Sequence, residues 1–165
     1  MQRTQVAILM GSDSDYPVMQ KAESILEEFD IDFETRVLSA HRTPKQTIQF
    51  ILDSVKLGTK VFIAGAGGAA HLPGIVAAHT ELPVIGVPIL GKSTNGLDSL
   101  LSIVQMPPGV PVATVSIDGA KNAALLAVQI LAVSDAGLKK KLIAYRKNME
   151  KEVLKKDKNL PRSKK

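Results

Sequence analysis

Apolar residues along this chain switch repeatedly between two spacings. Residues 5–10 carry Val6, Ile8, Leu9 and Met10 in a nearly unbroken run, the pattern of a strand covered on both faces. Over residues 17–29 the spacing becomes helical, with Val18, Ala22, Ile25, Leu26 and Phe29 on one side. Pro17 suits the first turn of that helix, and Asp15 is placed to cap it. Strands are then expected over 32–38, 60–64, 84–87 and 112–116. They alternate with helices over 44–57, 72–79, 97–103 and 120–132. In the second helix Ile48, Ile51, Leu52 and Val55 share a face, and Gly58 stops it.

Strands that alternate with helices of this length predict an α/β fold. The expected form is a three-layer αβα sandwich around a central parallel sheet, flavodoxin-like, with right-handed crossovers. Ligands of such sheets sit at the carboxyl ends of the strands. The helix over 120–132 is apolar nearly all round and must be buried on more than one side, by its own core and by a neighbouring subunit. A C-terminal helix over 135–154 places Leu138, Leu142, Tyr145, Met149 and Val153 on one stripe. Pattern alone fits both packing on its own domain and reaching across to another subunit. Residues 1–154 are expected to form one catalytic domain, and 155–165 a basic, disordered tail.

Composition narrows the classes. The chain has 165 residues, 45% of them apolar but only 4% aromatic, so the core is built from Ala, Val, Ile and Leu. There is no cysteine, which excludes disulfides and thiolate chemistry. The first residues lack the charged-then-apolar layout of a signal peptide, and no stretch reads as a membrane span; a cytoplasmic protein is expected. The net charge of +5 hides a split: residues 139–165 carry +9 and the rest −4. A basic tail is one route to nucleic acid, but this one has no aromatic or Arg-rich interleaving, and it reads as a solvated helix face. The three histidines, at 41, 71 and 79, lack metal-ligand spacing, so no catalytic metal is expected.

Three strand-to-helix switch points carry candidate chemistry. Gly11-Ser12-Asp13-Ser14-Asp15 combines small residues, hydroxyl donors and a helix start, which suits a phosphate, with an Asp able to take ribose hydroxyls. Ser39-Ala40-His41-Arg42-Thr43-Pro44 sets a proton-transfer group beside an anion anchor: imidazole titrates near neutrality, and guanidinium donates two parallel bonds to phosphate. Gly65-Ala66-Gly67-Gly68-Ala69-Ala70-His71-Leu72 partly matches G-x-G-x-x-A, so a dinucleotide site is one candidate. A mobile lid carrying His71 is the better reading. Gly86-Val87-Pro88-Ile89-Leu90-Gly91-Lys92-Ser93 formally satisfies the nucleotide P-loop. Its apolar middle, and Asn95-Gly96 where a helix should start, argue against that use.

These segments together, with Asp98-Ser99-Leu100-Leu101-Ser102-Ile103-Val104-Gln105-Met106-Pro107 and Asn122-Ala123-Ala124-Leu125-Leu126-Ala127, closely resemble the N5-carboxyaminoimidazole ribonucleotide mutases of purine biosynthesis. The resemblance covers residues 6–154. It implies transfer of a carboxylate from the exocyclic amine of an aminoimidazole ribotide to ring carbon C4, by decarboxylation and recapture of the CO₂. It implies His41 as general acid and base, and Ser12, Asp15 and Arg42 as nucleotide-holding residues, with Gly11 and Ser14 beside them. Ser39, Gly67, Ala69, His71 and Leu72 would line the CO₂ pocket, and Gln105-Met106-Pro107 would close it. It further implies a homo-octamer with no metal or organic cofactor, and no nucleic-acid or membrane partner. A carboxylase of the same fold that uses free CO₂ is the near alternative. The segments 91–96 and 116–119 and Tyr16, where Trp is common, depart from the family pattern.

Overall fold

In the computed structural model, which describes residues 4–161, every residue of the first strand is buried. Five parallel strands form one sheet: β1 (Val6–Met10), β2 (Phe33–Val37), β3 (Val61–Ala66), β4 (Val84–Pro88) and β5 (Ala113–Thr114). Their order is β2-β1-β3-β4-β5, the flavodoxin-like arrangement. The helices are α1 (Tyr16–Glu28), α2 (Pro44–Leu57), α3 (Leu72–Ala77), α4 (Leu97–Val104), α5 (Ala120–Leu131) and α6 (Ala136–Lys158).

Side-chain alternation along β1 assigns the two outer layers. Val6, Ile8 and Met10 meet Met19, Ile25 and Leu26 of α1 and the alanines of α5. Ala7 and Leu9 point the other way, toward Ile51 of α2, Leu72 and Val76 of α3 and Ile103 of α4. Two strand glycines make these layers close. A Cβ on Gly65 would run into the Met19 side chain, and one on Gly86 into Ile103 and Val112. Apolar burial dominates the energetics. Each fully buried Leu, Ile or Phe contributes about 1.5–3 kcal/mol. The ion pairs found among the described residues (Arg36–Glu34, Lys56–Asp53 and Lys141–Asp30) join largely solvated side chains worth about 0–1 kcal/mol each.

Several boundaries differ from the pattern-based expectation. β3 runs two residues further, through Gly65 and Ala66, because β4 pairs with both (Gly65 with Val87, Ala66 with Pro88). β5 shrinks to two residues: only Ala113 and Thr114 find ladder partners before Asp118, at φ 54°, turns the chain toward α5. α3 ends at Ala77, short of His79. Asp15 makes no side-chain cap bond. A 3-10 turn over Asp13–Asp15 precedes α1, and the cap role falls to Ser12, whose Oγ accepts from the Ser14 N–H.

α6 meets the first of the two expectations, packing on its own domain. In its first half Leu138, Leu142 and Tyr145 join the core, and Tyr145 lies 5.5 Å from Phe29 ring to ring. Lys141 donates to the Phe29 carbonyl and the Asp30 carboxylate at the end of α1. Beyond that point Met149, Val153 and Leu154 are exposed. The helix continues to Lys158, which corrects the expectation of disorder from residue 155; the last four residues, 162–165, lie outside the described range. α5 packs on α1, β3, β4 and α6, so its own chain covers much of the surface assigned in part to a neighbour.

Candidate active site

In this sheet order the chain leaves β1 toward β2 on one side and leaves β3 toward β4 on the other, so the connections diverge between β1 and β3. The crevice beyond their carboxyl ends is the position where such folds take ligands. A cavity of about 420 Å³ lies there. It is lined by Gly11, Ser12, Ser14 and Asp15 after β1, Ser39, His41 and Arg42 after β2, and Gly67, Ala69, His71 and Leu72 after β3. The eleven residues expected to catalyse, hold the nucleotide or wall the CO₂ pocket therefore share one cavity. Ala40 and Ala66 line it as well; both stand inside the motifs already recognised, but an alanine carries no chemical signal of its own.

The β1 loop is held by its own hydroxyls. Ser14 Oγ donates to Ser12 Oγ at 2.9 Å, and the Asp15 N–H donates to the Ser12 carbonyl at 3.2 Å. Asp15 is nearly buried, at 9% exposure. That burial raises its carboxyl above the ordinary 3.8, against the opposing pull of bonds from Ser14 and the Ser12 backbone and of the Arg42 charge.

The β2 loop is closed by a hydroxyl network. Thr43 Oγ1 accepts from the Ser39 N–H at 2.9 Å, Thr47 Oγ1 donates to the Thr43 carbonyl, and Ser39 Oγ accepts from the Arg42 N–H. With this turn fixed, Arg42 Nη2 reaches across to donate to the Gly11 carbonyl at 2.6 Å, tying the first loop to the second. His41 projects from the same turn, and its Nε2 lies 2.7 Å from Nδ1 of His71, the two rings edge to face. A smaller cavity of about 300 Å³ adjoins, sharing Gly11, Ser12, Ser39 and Arg42. The Arg42 side chain thus borders both spaces.

Gln105-Met106-Pro107 do not line the cavity of their own chain. Met106 instead lies against Gly74 on α3. The P-loop reading is also excluded by geometry. Gly86 is inside β4, and α4 starts only at Leu97, with Asp98 Oδ1 accepting from the Ser99 N–H where a phosphate would need that donor. His79 donates from Nδ1 to the Ile75 carbonyl within its own turn, and it does not line the cavity. Among the described residues no group of three His, Asp or Glu side chains is placed to hold a metal ion, and no helix is long and apolar enough to cross a membrane.

A flavodoxin-like sheet with a hydroxyl-rich loop, an arginine and paired histidines at its switch point has the donors to hold a small anionic ligand and the imidazoles to move a proton. The sequence profile of the AIR carboxylase family matches residues 5–152, and the chain belongs to that family. It is 60% identical to the N5-carboxyaminoimidazole ribonucleotide mutase of Pyrococcus abyssi, over 88% of this chain and 84% of that protein. It is 56% identical to the mutase of Thermotoga maritima, over 94% and 91%. Among solved structures, Treponema denticola PurE superposes with a TM-score of 0.88 at 31% identity, covering 96% of this chain and 99% of that one. A PurE2 variant from the same organism gives 0.89 at 30%, covering 97% and 99%.

Proposed function

We propose that this protein is an N5-carboxyaminoimidazole ribonucleotide mutase of purine biosynthesis, acting in the cytoplasm. The observation that carries the reading is the convergence of His41, Arg42, Ser12 and Asp15 on one cavity in a chain 60% identical to a protein of that name. Arg42 and the hydroxyls of the Gly11–Asp15 loop hold the phosphate end, and Asp15 accepts from the ribose. Protonated His41 delivers its proton to the exocyclic nitrogen as the carbamate C–N bond breaks and CO₂ leaves. Ring carbon C4 attacks the retained CO₂, forming the C–C bond. Neutral His41 then removes the C4 proton, which restores both the aromatic ring and the protonated imidazole. The proton that leaves C4 replaces the one spent on nitrogen, so one imidazole closes the cycle without a cofactor. Ser39, Gly67, Ala69, His71 and Leu72 form the wall that retains CO₂ and keeps water out.

The protein works as a homo-octamer in this reading. Apolar side chains left uncovered on one chain support assembly: Met149 and Val153 on the outer half of α6, and Leu97, Leu101 and Val104 along α4. Light scattering of the purified protein tests the number. The activity is tested by supplying the carbamate ribotide and, separately, aminoimidazole ribonucleotide with bicarbonate. Turnover of the first without dependence on added bicarbonate is expected. Strict dependence on bicarbonate would make the enzyme a carboxylase.

A further inference from the structure

The contact between His41 and His71 specifies more than proximity. An imidazole Nε2 and an imidazole Nδ1 at 2.7 Å must share one hydrogen. If His71 were the donor, neutral His41 would carry its own hydrogen on Nδ1, and its only lone pair would already be engaged. It could then take no proton from a substrate without breaking the contact. If His41 is the donor, Nε2–H stays bound to His71 throughout, and Nδ1 is free to gain and lose a proton. Only the second arrangement lets one ring serve as acid and then as base while the pair stays intact.

We propose that His71 is a positioning residue that accepts from His41 Nε2–H, fixes the ring's tautomer and orientation, and makes Nδ1 the nitrogen that exchanges the proton with substrate. The inference rests on the mutase reading for its kinetic part. The local fold is suited to the task. His71 occupies the position before α3 but makes no cap bond to it, so its ring is free to face His41. Its backbone N–H donates to the Ala69 carbonyl at 2.8 Å, which fixes the turn that carries it. The ring contact spans thirty positions of sequence, from the β2 loop to the β3 loop, so it also sets the width of the cavity between them.

The chain's three histidines make the test direct. In ¹⁵N-histidine-labelled protein at a pH where the rings are neutral, His41 and His71 are both expected as Nε2–H tautomers. His79, which donates from Nδ1, supplies the opposite pattern as an internal control. Single His→Asn variants assign the signals. A His41 ring with its hydrogen on Nδ1 would overturn the proposal, whatever reaction the enzyme performs. Kinetics read the consequence. His71→Ala should lower kcat about 10- to 100-fold, the usual effect of removing the group that orients a reactive imidazole, with ribotide Kd changed less than about threefold. His71→Asn can present an acceptor oxygen where Nδ1 stood, and it should recover most of that loss. A wild-type kcat in His71→Ala, or equal kcat in the Ala and Asn variants, would refute the positioning role. A wild-type enzyme that fails to turn over the carbamate ribotide refutes the function and leaves the tautomer result standing.

Discussion

Replacing Arg42 by alanine separates holding the substrate from transforming it. The guanidinium has five N–H donors, and one bond runs to the Gly11 carbonyl. The remaining fork is free for the phosphate. A charge-assisted hydrogen bond contributes about 1.5–3 kcal/mol, so two parallel bonds set an upper range of about 3–6 kcal/mol. Arg42 is exposed at the mouth of the cavity, where water competes, so the lower end applies. A loss of about 3 kcal/mol corresponds to roughly 10²-fold weaker binding. Because the phosphate is remote from the reacting bonds, ground state and transition state lose the same amount. KM should rise about 10²-fold while kcat stays within about threefold. Calorimetric titration with aminoimidazole ribonucleotide, beside steady-state kinetics on the carbamate, checks both numbers. Arg42→Lys should recover part of the loss, since it keeps the charge and not the fork. A tenfold or greater drop in kcat with unchanged ribotide affinity would refute the reasoning and move Arg42 to the reacting centre.

His41→Asn should leave the thermal melt unchanged, because the side chain is exposed and its contacts are confined to the loop partner His71, while kcat falls by more than about 10²-fold in single-turnover assays. Asp15→Asn should raise KM about 10- to 150-fold at pH 7, the weight of a hydrogen bond to a charged acceptor. The same variant should melt higher than wild type at neutral pH. Asp15's carboxyl is raised in the folded protein, so the native state holds its proton more tightly and loses stability as pH climbs from 3.8 through the raised value. Melting curves at pH 3 and pH 7 should show the advantage of Asn only at the higher pH. Gly86→Ala should cost about 1–3 kcal/mol in urea unfolding, because its methyl would strike Ile103 and Val112.

The layers and the site loops were legible because each is written in local pattern. The apolar run of β1 reports burial on both faces, and the three loops carry polar chemistry at strand ends. What stayed hidden depends on partners remote in sequence. The length of β3 is set by pairing with β4, and the shortness of β5 by its ladder to Ile85 and Gly86. Asp15 resembles a cap residue by type, and only the 3-10 turn ahead of α1 shows that Ser12 takes that role. Composition named both His41 and His71 without indicating that their nitrogens meet. Gly86 likewise fits a nucleotide-loop pattern for a reason unrelated to nucleotides, the close approach of α4 to the sheet.

Every residue around the candidate active-site cavity precedes position 73. Beyond that point the chain supplies α4, α5, α6 and the adjacent strands β4 and β5, none of which lines the crevice. The unusual segments 91–96 and 116–119 both fall in this later portion. Drift in the C-terminal half can therefore retune thermal endurance while leaving the lining of that cavity intact. Grafting those helices from a heat-loving relative is accordingly a rational first step for anyone seeking a hardier catalyst.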